Sequence, residues 1–145
     1  TARLSDATGI LALYRELRPT DPEIAEPAAQ AAFEGILNSE NLELIVCEAE
    51  MRLVATCMLA VVPSLAMGAR PFAVVEHVVT LNQFRRKGFG QMVLEYALSA
   101  AWSKGCYKVL LLSGAQRTQA HRLYESVGFL GDVERGFVAK PPNAA

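Results

Sequence analysis

Apolar residues first recur at helical spacing, at Ile10, Leu11, Leu13, Tyr14 and Leu17, which predicts a helix ending near Leu17 behind a Ser5 or Asp6 cap. Pro19 and Pro22 stop that helix and stiffen the link to the next. A second stripe, Ala28, Ala32, Phe33, Ile36 and Leu37, predicts a helix over Pro27–Leu37. The period then changes. Leu42–Glu48 and Leu53–Val62 read as a hairpin turning at Ala49–Arg52, followed by a loop over Pro63–Pro71. Phe72–Leu81 is apolar almost throughout, so it predicts a central strand buried on both faces. Helical spacing returns at Val93, Leu94, Ala97, Leu98 and Ala101, giving a helix from about Gly88 to Lys104. Tyr107–Leu112 predicts the next buried strand, parallel to the central one through a strand–helix–strand crossover. Thr118 caps a last helix with Ala120, Leu123, Tyr124 and Val127 on one face and Gly128 at its end. Phe129 and Gly136–Lys140 are expected to supply a final antiparallel pair. The order is mixed α/β, and 145 residues is the size of one domain.

Between the central strand and the helix after it lies Phe84-Arg85-Arg86-Lys87-Gly88-Phe89-Gly90-Gln91. Glycines let backbone amides approach an anion, and the first amides of a helix have no partner within it. With the helix dipole and three adjacent cations, this turn is a candidate pyrophosphate cradle. It is not the dinucleotide fingerprint, because Val93 occupies the third glycine position. Nor is it a P-loop, because Gly88 precedes Phe89 and Gly90 precedes Gln91 where Lys-Ser/Thr would be needed.

What remains, Arg-x-x-Gly-x-Gly from Arg85 to Gly90, resembles the acyl-CoA site of the GNAT superfamily of N-acetyltransferases. A second match, Ala120-His121-Arg122-Leu123-Tyr124-Glu125-Ser126-Val127-Gly128-Phe129, is similar to that family's Ala-x-x-Leu/Phe-Tyr-x-x-x-Gly-Phe segment. The resemblance covers nearly the whole chain, taken as one domain over residues 1–145. It implies a mixed, mostly antiparallel sheet flanked by helices, with middle strands splayed to admit pantetheine. It also implies acetyl-CoA as cosubstrate, no metal, and direct transfer to a primary amine of a small molecule or peptide in a ternary complex. The alternative is a non-catalytic acyl-CoA-binding sensor, which needs the same cradle.

The resemblance assigns pyrophosphate to the backbone of Arg86, Lys87, Gly88, Phe89, Gly90 and Gln91, with Arg85 beside it, and pantetheine to the backbone of Val78, Val79 and Thr80. Tyr124 is the candidate general acid, since a phenol and a thiol lie close enough in pKa for useful proton donation. Glu76, a carboxylate within an apolar strand, is the candidate base that deprotonates the amine. The other reading makes it an ion pair with Arg52, Arg70 or Lys108. His77, opposite Glu76 in a regular strand, reads as packing unless a bulge undoes the parity. His121 reads as a surface residue of the first helical turn. Arg117 stands where the family often has an asparagine that bonds pantetheine, so either Arg117 contacts a CoA phosphate or the acceptor, or the backbone does this job alone.

The net charge of −1 gives no pull towards nucleic acid or membrane, but it is unevenly spread. Residues 1–50 carry ten acids against three bases, −7, and the remainder carries +6. The acidic third is either a solvated face or a surface for a cationic acceptor such as a polyamine or lysine side chain. The acceptor is expected to enter between the Arg18–Pro27 and Pro63–Pro71 loops. Cys47, Cys57 and Cys106 form no close-spaced pair and no metal spacing, and Cys106 has no identifiable histidine partner for a covalent route. No leader or membrane-length apolar run is visible, so a cytoplasmic protein is expected. Thr1 in place of Met reads as a trimmed or incomplete start. A homodimer through the Leu53–Val62 strand or the C-terminal strands is the family prior.

Overall fold

The structure is a computed structural model and describes residues 1–143. A four-stranded sheet runs in the order β1-β2-β3-β4, with β1 at Leu42–Ala49, β2 at Arg52–Val62, β3 at Phe72–Thr80 and β4 at Val109–Leu111. β2 runs antiparallel to both β1 and β3, and β4 is parallel to β3, as the crossover requires. Helices α1 (Ala7–Leu17) and α2 (Glu26–Leu37) lead into the sheet. A kinked turn, α3 (Ala66–Ala69), breaks the Pro63–Pro71 loop. Helix α4 (Phe89–Ser103) makes the crossover, and α5 (Thr118–Ser126) follows β4. No described helix is long and apolar enough to cross a membrane.

Strand alternation sends β2 to two cores. Ala55, Cys57, Leu59 and Val61 join Ile45, Ala73 and Val75 against Val93, Leu94, Ala97 and Ala101 of α4. Val54 instead packs with Leu13 of α1, and Leu44 packs with Ile10 of α1 and Phe33 of α2. Leu59 and Leu94 are fully buried, and each such side chain contributes about 1.5–3 kcal/mol relative to exposure. Among the described residues Thr56 is the buried polar exception, and its hydroxyl donates to the Ile45 carbonyl at 2.7 Å.

The expected final strand pair does not form. From Phe129 to Asn143 the chain makes no strand, and Leu130, Val133, Phe137 and Val138 lie exposed. Two features work against a ladder there. β4 offers only three residues of edge, half the length expected for Tyr107–Leu112, and Gly131 and Gly136 interrupt the apolar positions. The segment is instead pinned by Lys108 Nζ on Glu134 Oε1 at 3.0 Å, and passes so close to Leu112 that any side chain at 136 would collide with it.

Candidate active site

β3 and β4 are paired at three positions, Ala73 with Val109, Val74 with Leu110 and Val75 with Leu111. Beyond Val75 the two strands part. On its other edge β3 is also irregular: Met58 faces Glu76 and Thr56 faces Val79, so His77 and Val78 together bulge against Cys57. The bulge places His77 at φ +54, a left-handed conformation uncommon for a residue with a side chain. It also resets the alternation. Val75 packs in the α4 core, whereas Val79 and Leu81 pack with Leu13 under α1. The parity expectation therefore gives way, because Glu76 and His77 line the same cleft. The packing role stands, with the His77 ring 5.1 Å from that of Tyr14.

The gap between the strands is a cleft of about 210 Å³. Glu76, His77 and Val78 form one wall, Leu111 to Gly114 the other, and Leu17, Arg18, Arg117 and Tyr124 close the rim. Tyr124 is held by the way α5 ends. Gly128 adopts φ +104, so the amide of Gly128 bonds to the Glu125 carbonyl and that of Phe129 to the Tyr124 carbonyl, at 3.1 and 3.0 Å. The Phe129 ring then packs edge-on to Tyr124 at 6.3 Å, leaving the tyrosine 7% exposed. Burial raises the phenol's pKa, and the nearby Arg117 guanidinium and Ser113 hydroxyl pull it part of the way back. Ser113 Oγ is itself buried beside this phenol, with contact geometry short of a hydrogen bond and no other partner.

Glu76 is exposed to the cleft and has no cation within 4 Å among the described residues. The three alternative partners are occupied elsewhere. Arg52 lies over the Phe84 ring, Arg70 donates to the Gly105 and Cys106 carbonyls, and Lys108 pairs with Glu134. Arg18 lines the same cleft, and its Nε donates to both carboxylate oxygens of Asp21 at 2.9 and 2.7 Å. Those contacts with Asp21, and more weakly the charge of Glu76, hold the guanidinium even more firmly protonated.

At the far end of β3 lies the glycine turn. Gly88, at φ +88, is the N-cap of α4, and Arg86 at φ +61 is also left-handed. The helix ladder opens with the Met92 amide on the Gly88 carbonyl at 3.0 Å, so the amides of Phe89, Gly90 and Gln91 precede it. A side chain at Gly90 would meet Thr80 Oγ1 at 3.2 Å and Leu123 Cδ2 at 3.1 Å; its absence brings the helix start against the end of β3. Arg85 Nε donates back to the Thr80 carbonyl at 3.2 Å, and Lys87 lies 5.1 Å from the Phe84 ring centroid. Among the described residues no strand lies beside this edge of β3 from Glu76 to Thr80, and such an edge leading to free helix-start amides fits an extended amide-bearing arm that ends in pyrophosphate, which is the chemistry of coenzyme A.

Glu76, Val78, Arg117 and Tyr124 thus meet in one cleft, while Val79 turns its side chain into the α1 core and leaves only backbone for a ligand. Arg18 and Ser113 belong to the cleft and were not singled out from sequence. An arginine before a proline and a serine after an apolar run carry no distinguishing signal. The Pro63–Pro71 loop contributes no lining residue. His121 is half-buried and bonds through Nε2 to the Gly114 carbonyl at 2.9 Å, fixing the β4–α5 loop. Cys57 and Cys106 are buried, and burial pushes both thiols up in pKa, Cys57 to about 12, which keeps them protonated and unreactive. No group of three or more metal-binding side chains occurs among the described residues.

Comparison with known proteins agrees with this geometry. Over 68 residues the chain is 40% identical to an uncharacterised N-acetyltransferase, YhdJ, of Bacillus subtilis, covering 46% of each protein. Over 78 residues it is 32% identical to glucosamine 6-phosphate N-acetyltransferase of Trypanosoma brucei brucei, covering 54% of this chain and 51% of that one. The chain spans about half the length of these curated relatives. A solved putative acetyltransferase of Agrobacterium tumefaciens superposes with a TM-score of 0.91 at 38% identity, over 97% of this chain and 96% of that one. The model of the acetyltransferase (GNAT) family matches residues 10–129, and the chain belongs to that family.

Proposed function

We propose that the protein is an N-acetyltransferase that passes the acetyl group of acetyl-CoA directly to an amine in a ternary complex. The observation that carries the reading is the parting of β3 and β4 after Val75. It leaves a strand edge open between a free carboxylate, Glu76, and a buried phenol, Tyr124. Acetyl-CoA supplies an activated thioester carbonyl. The amides of Arg86 to Gln91 hold the pyrophosphate with Arg85 and Lys87 adding charge, and the backbone of Val78 to Thr80 pairs with the pantetheine arm. A backbone amide on that edge stabilises the charge that develops on the thioester oxygen. Glu76 takes a proton from the incoming ammonium, directly or through water, which frees its lone pair to attack. Tyr124 Oη, protonated at neutral pH, gives a proton to the departing sulfur, and the phenolate recovers one from the second N–H proton that the acylated nitrogen sheds.

The first test is a calorimetric titration with acetyl-CoA of the wild type and of Gly88→Asp. An added Cβ at Gly88 meets nothing within 4 Å, but φ +88 strains any side chain there, so circular dichroism and a melting curve first establish that the variant is folded. Its carboxylate would stand against the pyrophosphate. Wild-type binding lost in the variant is the expected outcome, followed by thiol release on an amine panel. A folded wild type that binds no acetyl-CoA overturns the reading.

A further inference from the structure

The charge of the cleft runs opposite to the charge of the sequence around it. None of the ten acids in residues 1–50 lines the cleft. Several are used locally: Glu16 accepts the Asn82 amide at 2.8 Å, Asp6 accepts the Arg3 amide, Glu34 accepts from Gln30, and Glu43 accepts from Thr1. The charged side chains that do line the cleft are one carboxylate, Glu76, and two guanidiniums, Arg18 and Arg117. The two arginines come from different elements. Arg18 caps the end of α1 and Arg117 is the N-cap of α5. Asp21 engages Arg18 through Nε, and the Arg18 Nη groups hold no hydrogen bond among the described residues. Arg117 has no acidic partner within 4 Å among the described residues, and it stands at the positive end of the α5 dipole.

A polyamine or basic peptide would set its second cation against these guanidiniums. An amine that also carries an anion satisfies the two unpaired charges, with the ammonium at Glu76 and the anion at Arg117, where the Arg18 Nη groups can donate as well. Resting on the N-acetyltransferase reading, we propose that the acceptor is a small amine bearing a carboxylate or phosphate, bound through Arg117 with Arg18. This reverses the cationic acceptor that the acid-rich first third suggests.

The experiment uses matched acceptors differing only in the anion: an amino sugar with and without a phosphate, and an amino acid with its methyl ester. Thiol release is measured for the wild type, Arg117→Gln and the Arg18→Gln/Arg117→Gln pair, and acetyl-CoA affinity is measured separately for each. The expected result is a kcat/KM at least about tenfold higher for the anionic member of one pair. That ratio should fall towards one in the double variant, mainly through KM. Which pair shows the preference tells carboxylate from phosphate. Equal or better turnover of the uncharged members overturns the proposal while leaving the N-acetyltransferase reading intact. So does a preference that survives in the double variant, or an Arg117→Gln change confined to acetyl-CoA affinity. Absence of acetyl-CoA binding in the wild type removes the reading itself and the proposal with it.

Discussion

As far as Val75, β3 is bonded along both edges, to β2 on one side and β4 on the other, with Ala73 and Val75 sealed under α4. From Glu76 onward the same strand keeps one neighbour, carries a bulge, holds His77 in a left-handed conformation and opens a cleft. In the sequence of Phe72–Thr80 only the polar pair Glu76-His77 marks the division. The first half uses its backbone to hold the sheet together. The second leaves part of that backbone free for a ligand, and the bulge moves side chains to the face where such a ligand would lie. A strand can therefore be structural and functional in series, and each half should respond to a different kind of damage.

The largest effect is expected in the open half. Tyr124→Phe retains the ring, and with it the packing on Phe129, but removes the proton donor. It should lower kcat by roughly 10²–10⁴-fold while the acetyl-CoA dissociation constant and thermal stability stay close to wild type. Full turnover in this variant would take the proton-donor role from Tyr124, and a retained biological function without turnover would favour the sensor alternative. Damage to the closed half should read out the other way. Leu59, paired with Val75 and 0% exposed, is not itself a lining residue of the cleft and can be truncated to alanine. The expected cost is about 2–5 kcal/mol in denaturant unfolding, with kcat of the folded fraction little changed. A loss of kcat without loss of stability would mean that the two halves are not separable.

Much of this was legible in advance because it rests on local chemistry. Helical spacing located α1, α2, α4 and α5, the long apolar run located β3, and the glycine turn located the start of α4. Glu76, Tyr124 and Arg117 were likewise read from the sequence as candidates and meet in the cleft. The parts that stayed hidden are set by tertiary register. The bulge at His77–Val78 depends on where β2 places Cys57, and it decides which face His77 takes. Ser113 and Arg18 enter the cleft because of where β4 and α1 end. The apolar tail of Phe137 and Val138 promised a strand that β4 is too short to pair.

The smallest effect tests whether the bulged half is as dry behind the cleft as the closed half. Cys57 faces the bulge, is 0% exposed and lies 3.5 Å from the Val93 carbonyl. Burial first, and then the charge of Glu43, push its pKa from 9.0 to about 12. The sign follows from linkage. The folded state keeps this proton where the unfolded chain has lost it, so the stabilisation is complete below pH 9 and is lost as pH rises towards 12. Between pH 8 and pH 10 the loss from this thiol is about 1 kcal/mol. Tyr14, raised to about 12 chiefly by burial, and Tyr124 begin to add their own losses as pH reaches 10, but these are common to wild type and variant and cancel in the comparison. Unfolding at the two pH values should show a smaller drop for Cys57→Ala than for wild type, even though the variant starts lower because of its cavity. An unchanged drop would mean that water reaches the thiol through the bulge, and that β3 is open on both faces where it parts from β4.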